Sequence, residues 1–418
     1  MATNLFGALG IERLSPAKLR KISTEMGIEA HRLKYFNEHH KFPTGIELDK
    51  ILEYFNIGEV ELKLKLGVFD HQIIKHIQAH YNDFEYALTS LEEQAKQRND
   101  NKGLSLKPIF KTKLGRLYNE DCLKFLPEIE GDSVDLVFAD PPFNLSKEYP
   151  SGIDDNLKEK EYLAWSEKWL FELIRVLKPG GSLFIWNLPK WNMRYLNFID
   201  QYLTFKHWIA VDIKYSLPIP GRLYPSHYSL LYFVNGEKPN HFKPDRLPMP
   251  TCPKCHADLR DYGGYKNKMN PMGINLSDVW TDIAPVRHAK YKKRKEANEL
   301  PLKLMDRIIE MSSAEGSVVL DPFGGAGTTY ITAELKNRKW LGSEIGPIEV
   351  ITERFTNIDA DRQALKKIRS GLNSLFLPQV KNEREKKGLW TPESVRENGV
   401  KPKHRSKKQT TLDFLKKI

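Results

Sequence analysis

Twice in this chain a short apolar run stops on Asp-Pro. Ser133 to Ala139 (SVDLVFA) leads into Asp140-Pro141-Pro142-Phe143, and Ser317 to Leu320 (SVVL) leads into Asp321-Pro322-Phe323-Gly324-Gly325-Ala326-Gly327-Thr328-Thr329. Runs of this length and composition are buried strands, and proline, which has no N–H to give a ladder, ends them. Between the two lie an amphipathic helical stretch, Glu159 to Leu177, a turn at Lys178-Pro179-Gly180-Gly181, and a second apolar strand, Ser182 to Trp186. A hairpin strand at His227 to Val234 closes this block; helix and strand return at Leu300 to Ser312 and Trp340 to Glu344. Alternation of this kind predicts an α/β fold, a mostly parallel sheet covered by helices.

The flanking segments read differently. From Ser15 to Val68 apolar residues fall at helical spacing in short bursts punctuated by Gly27 and Pro43, and helical pattern continues over residues 69 to 96. That predicts a small all-α N-terminal domain, joined by a polar linker from Arg98 to Gly103. Residues 236 to 296 lose periodicity and become rich in Pro, Gly, Lys and Arg, and the last forty residues are polar and basic. No repeat of 20 to 50 residues is present, which sets solenoids and propellers aside. With 65 Lys and Arg against 54 Asp and Glu the net charge is +11, which favours a polyanionic partner without requiring one. Three cysteines, Cys122, Cys252 and Cys255, support no disulfide framework. Neither an apolar run of membrane-spanning length nor a signal-like start is seen, and the expected location is the cytoplasm.

Both Asp-Pro motifs sit where open α/β sheets bind ligands, outside the carboxyl ends of strands. In the first, the prolines fix the backbone so that their carbonyls and the Asp140 carboxylate form outward-facing acceptors, a fit for an exocyclic amine. In the second, glycines at a strand-to-helix turn let a ligand approach the backbone. The spacing is neither the dinucleotide fingerprint nor a P-loop. Asp321 would repel a phosphate and accept an ammonium, and Glu344, about twenty residues on, suits two ribose hydroxyls. A nucleoside joined to an amino acid describes S-adenosylmethionine.

The pair D-P-P-F and D-P-F-G-G-A-G-T-T resembles the amino-group DNA methyltransferases of bacterial restriction-modification systems, over about Lys111 to Ile358. The catalytic motif precedes the cofactor motif, as in the beta group, so the resemblance implies a Rossmann-like, circularly permuted, S-adenosylmethionine-dependent sheet. It implies that Asp140, Pro141, Pro142 and Phe143 are catalytic. It implies cofactor contacts from Asp321, Phe323, Gly324, Gly325, Gly327, Thr328 and Thr329, with Glu344 as the ribose acceptor. Asp121, in Asn119-Glu120-Asp121-Cys122, matches the adenine-contacting segment, and Asn298, in Ala297 to Pro301, the helix start over the cofactor. Asp at the head of the first motif resembles the adenine-N6 subgroup, where Ser would indicate cytosine N4; Phe143 would stack on an extruded base. Cytosine-N4 methylation and a DNA-binding regulator with a non-catalytic core are the alternatives.

On this reading the chain divides into a helix-turn-helix-like domain with linker (1–103), a catalytic half (104–235), a target-recognition region (236–296), a cofactor half (297–378) and a flexible basic tail (379–418). The N-terminal helices resemble the repressor-type helix-turn-helix, with Ser15 to Met26, then Gly27, then Glu29 to Lys41 as recognition helix. Arg32, Lys34, Tyr35 and Asn37 are its candidate contacts to double-stranded DNA. Arg287, Lys290, Lys292, Lys293 and Arg294 form a basic cluster beside Tyr291, suited to phosphates. Cys252-Pro-Lys-Cys255 has the spacing of half a zinc knuckle; with no second C-x-x-C, a turn holding two thiols is the expectation and a metal site the alternative. Gln409 to Phe414 resembles a sliding-clamp-binding peptide, and a companion restriction endonuclease is an implied partner.

Overall fold

The computed structural model describes residues 4–11, 15–38, 42–69, 71–85, 106–145, 156–212, 220–221, 223–259, 269–284 and 299–394. The chain separates into two units, residues 1–103 and 104–418. Among the described residues no helix is long and apolar enough to cross a membrane.

The first unit is helical: α1 (Leu5–Ala8), α2 (Pro16–Met26), α3 (Ala30–Glu38), α4 (Ile46–Phe55), α5 (Glu59–Leu66) and α6 (His71–Ala79). Ser15 caps α2 by accepting from the Lys18 N–H, Pro16 supplies a preset φ at its first position, and Gly27 ends it at φ 64°. Leu5, Leu19, Ile22, Leu33, Ile51 and Leu62 meet in the core. Two residues expected to face DNA are engaged inside this unit. Arg32 forks onto Glu47 of α4 at 2.9 and 2.7 Å, and the Asn37 carboxamide accepts from the Phe6 N–H at 3.0 Å. Lys34 and Tyr35 lie on the exposed side of α3.

The second unit begins with β1 (Phe110–Lys111), β2 (Gly115–Tyr118), α7 (Cys122–Phe125), β3 (Val134–Ala139), α8 (Glu159–Val176), β4 (Leu177–Asn187), α9 (Pro189–Ile199), β5 (Thr204–Asp212) and β6 (His227–Val234). After the short strands β7 (Arg246–Leu247), β8 (Ile274–Asn275) and β9 (Val279–Trp280) come α10 (Leu302–Ser312), β10 (Val318–Asp321), α11 (Thr328–Leu335) and β11 (Lys339–Ser343). Helices α12 (Glu349–Thr356), α13 (Ile358–Ser370) and α14 (Pro378–Lys386) follow. One nine-stranded sheet runs β1-β2-β11-β10-β3-β4-β6-β5-β9. Strands β2, β11, β10, β3 and β4 are parallel to one another, while β1 is antiparallel to β2 and β6 is antiparallel to both β4 and β5. The late strands β10 and β11 therefore sit between the early strands β2 and β3, the permuted order that the motif order implies.

Side chains alternate between two cores, as the pleat requires. Leu136, Phe138, Phe184, Trp186, Leu230 and Tyr232 pack on one face with α10 and α11; Val137, Ala139, Leu183, Ile185, Leu231 and Phe233 pack on the other with α8 and α9.

Two expectations need correction. The Lys178-Pro179-Gly180-Gly181 stretch is a bulge within β4, because Val134 pairs with Leu177 and Leu136 already pairs with Ser182. The N–H of Gly180, at φ 76°, turns to the Asn235 carbonyl. Nor is residue 379 the start of a flexible tail. Helix α14 is followed by an ordered turn as far as residue 394, and Met249, Leu259, Leu375 and Phe376 form a small separate core there with Trp390 alongside. Arg384, 3% exposed, donates to the His256 and Trp390 carbonyls, so a charged helix docks through its cation, with Val380 packed on the small core beside it.

Candidate active site

Strands β3 and β10 are parallel neighbours with Leu320 opposite Val137, so both Asp-Pro motifs leave the sheet at one rim. Adjacent strands are about 4.8 Å apart. On the far side of β10, Gly342 pairs with Asp321 and Ser343 with Tyr118, which brings Glu344 and the Asn119 to Asp121 turn to the same rim. Two stretches remote in sequence thus meet because of strand order alone.

The Asp140 loop is held from beneath by aromatic donors on α8 and α9. The Tyr162 hydroxyl donates to the Pro142 carbonyl at 2.5 Å, and the Trp191 indole donates to the Phe143 carbonyl at 2.6 Å. Tyr195 donates to Tyr162 at 2.9 Å, tying the support together. Asn144, at φ 52°, exchanges two hydrogen bonds with the Leu157 backbone, each 2.8 Å, and closes the loop's far side. The expectation that both proline carbonyls face outward is therefore corrected: that of Pro142 points inward to Tyr162. Asp140 is half-buried, and Phe143 packs with its centroid 6.0 Å from that of Tyr228. None of Tyr162, Trp191, Asn144 or Tyr228 was singled out by sequence; each is a long-range partner with no local signature.

The glycine loop is built on a buried carboxylate. Asp321 is 1% exposed; one oxygen accepts from the Phe323 N–H at 2.9 Å and the other from the Thr329 hydroxyl at 2.5 Å. It lies beneath the loop and shapes it, where the expectation was an acceptor for an ammonium. Thr328 and Thr329 are likewise buried, whereas Phe323 and Gly325 remain half-buried at the loop's surface. Phe323 packs edge-on against Trp169 at 5.2 Å. Gly327 has φ 70°, and a Cβ on Gly324 would come within 2.6 Å of the Tyr330 hydroxyl, so side chains are excluded from the turn. Glu344 accepts from the Gly325 N–H at 2.5 Å and from the Gly346 N–H at 2.6 Å. Arg354, which sequence reasoning also missed, donates to the Ala326 carbonyl at 2.9 Å and the Thr328 hydroxyl at 2.8 Å while paired with Asp361.

Burial pushes the Asp321 carboxyl up to about 7 and also raises that of Glu344. A carboxyl raised on folding contributes stability that is complete below its ordinary value of about 4 and is lost as the pH climbs through about 7. Asp321→Asn, which keeps an acceptor for Phe323 and cannot ionise, is expected to flatten the decline in stability across that window. Denaturation midpoints of both proteins at a series of pH values check this; parallel curves would contradict it.

Asp121 caps α7 by accepting from the Leu123 N–H at 2.7 Å, at the same rim. Asn298, the basic cluster at 287–294 and the clamp-like peptide at 409–414 lie outside the described residues. The rim collects carboxylates in a chain of net charge +11, together with a turn from which side chains are excluded. That donor set fits a cationic nucleoside-amino acid such as S-adenosylmethionine and is poorly suited to a phosphate.

Residues 134–353 match a family model described as DNA methylase, covering N6 and N4 enzymes. The chain is similar to the type II methyltransferase M.BamHI of Bacillus amyloliquefaciens, 48% identical over 87% of this chain and 85% of that protein. It is also similar to the type II methyltransferase M.HpaI of Haemophilus parainfluenzae, 32% identical over 62% of this chain and 81% of the other. A third relative is the DNA adenine methyltransferase YhdJ of Escherichia coli (strain K12), 33% identical over 54% and 76% of the two chains. By matched span, motif order and sheet topology, the chain belongs to the N6/N4 DNA methylase family in its beta-group arrangement.

Proposed function

We propose that this DNA methyltransferase moves a methyl group from S-adenosylmethionine to the exocyclic amine of a base flipped out of double-stranded DNA, at adenine N6. The observation that supports it best is the parallel pairing of β3 with β10, which puts an amine-accepting loop beside a glycine cradle. Phe323, the Gly324 to Gly327 turn, Glu344 and Asp121 would hold the cofactor, which when bound would supply an electrophilic methyl on a sulfonium. Asp140 and the Pro141 carbonyl each accept one hydrogen of the amine, turning its lone pair toward the cradle. A conjugated amine is a poor nucleophile, and this alignment is what the protein contributes. As the N–C bond forms and the methyl leaves sulfur, whose bonding pair remains on S-adenosylhomocysteine, the nitrogen becomes acidic, and its proton passes to Asp140 or to water. Phe143, braced by Tyr228, offers a face for the base, whose extrusion costs a few kcal/mol.

The Asp-led motif favours adenine. Cytosine N4 is the second reading, because its amine offers the same two hydrogens to the same two acceptors. Digesting methylated DNA to nucleosides decides between them: N6-methyl-2′-deoxyadenosine supports the first, N4-methyl-2′-deoxycytidine the second, and no methylated nucleoside refutes both.

In the helical unit, Lys34 and Tyr35 are the proposed DNA contacts on α3, and Arg32 and Asn37 the residues that hold that helix. Lys34→Ala is expected to weaken binding about equally on all sequences and to lower the slope of log affinity against log salt by about one. An unchanged slope would assign the unit another role.

A further inference from the structure

Residues Thr251 to Leu259 form a loop closed by an antiparallel bridge between its ends. Inside it the His256 N–H donates to the Cys252 carbonyl at 2.9 Å and the Ala257 N–H to the Cys255 sulfur at 3.4 Å. His256, at φ 56°, makes the left-handed turn that swings Asp258 back over the two sulfurs. The ligand atoms of Cys252, Cys255 and Asp258 then all lie within 4.8 Å of one another. Two sulfurs on a tetrahedral zinc, each bonded at about 2.3 Å, stand about 3.8 Å apart, so a small contraction completes the set.

Charge at the back of the loop agrees. Arg384 of α14 donates to the His256 carbonyl, and Lys387 reaches the Lys254 and Cys255 carbonyls at 3.4 Å each. Two thiolates and a carboxylate around a divalent ion leave one net negative charge, facing these two cations.

We propose that Cys252, Cys255 and Asp258 bind one zinc ion, with solvent in the fourth position, and that the ion fixes this loop against α14. Thiolate ligands select zinc over calcium or magnesium. Binding releases the two thiol protons to solvent, with no change in oxidation state.

The test uses the full-length chain without an affinity tag, purified from zinc-supplemented cells. Elemental analysis is expected to find about one zinc per chain. After chelation, cobalt titration is expected to give thiolate-to-cobalt charge-transfer and tetrahedral d–d bands that saturate at one equivalent. The Cys252→Ser/Cys255→Ser double variant should lose both signals. Asp258→Ala, which keeps the thiolates, should bind cobalt at least about tenfold more weakly with altered d–d bands, since losing even a group that only orients a metal ligand costs about that much. If the double variant fails to fold, the charge-transfer intensity of the parent chain still reads the number of thiolates. A chain without zinc and without cobalt bands overturns the proposal, as does a metal content untouched in the double variant or a Cys252–Cys255 disulfide.

Discussion

Asp140→Ala is expected to slow methyl transfer at least about 100- to 1,000-fold, the scale lost when a preorganised electrostatic partner of the reacting atoms is removed. Binding of S-adenosylmethionine should stay within severalfold. The separation follows from where the groups sit. Asp140 leaves β3, whereas the cradle is built from β10, α11 and β11, and its internal hydrogen bonds run through Asp321, Glu344 and Arg354 without using Asp140. Single-turnover transfer of labelled methyl to DNA, with calorimetric titration of the cofactor, measures both quantities on one preparation. A variant that keeps most of its turnover removes Asp140 from the reaction; one that loses cofactor binding in proportion moves it to the other half of the site. Tyr162→Phe is the companion change. It leaves Asp140 in place and deprives the Pro142 carbonyl of its donor, so it should cost turnover less while loosening the loop.

What the sequence made legible was the frame. Strand runs ending on Asp-Pro mark their own carboxyl ends, and SVDLVFA and SVVL emerge as β3 and β10 to within a residue. The same residues cannot say which strands are neighbours; that β10 lies against β3 comes from packing, and the motif order only suggested it. Burial was the second thing hidden. Asp321, Thr328 and Thr329 read as ligand contacts because they sit in a glycine-rich turn, yet they are the internal staples of that turn. The support of the Asp140 loop was hidden more completely. Tyr162, Trp191 and Tyr195 look like the apolar stripes of two amphipathic helices, and their polar tips matter only once α8 and α9 stand under the loop. Helix α14 misled for the opposite reason: its composition is that of a solvated tail, and it docks through a buried arginine with one valine packed beside it.

Arg354→Ala is expected to destabilise the protein by about 3–5 kcal/mol, because it strands a buried carboxylate. Arg354 is 3% and Asp361 7% exposed, and the guanidinium forks onto that carboxylate at 2.8 and 3.1 Å. Its remaining nitrogen holds the Ala326 carbonyl and Thr328 hydroxyl at the start of α11, so the substitution also releases one side of the glycine cradle. The two consequences can be separated. In Arg354→Ala/Asp361→Ala the stranded charge is gone while Ala326 and Thr328 still lack their donor. Stability in urea should therefore recover in part, and affinity for S-adenosylmethionine should stay as weak as in the single variant. If stability does not recover, the buried charge is not the cause of the loss. If affinity recovers together with stability, Arg354 acts on the fold as a whole, and the cradle owes its shape to Asp321 and Glu344.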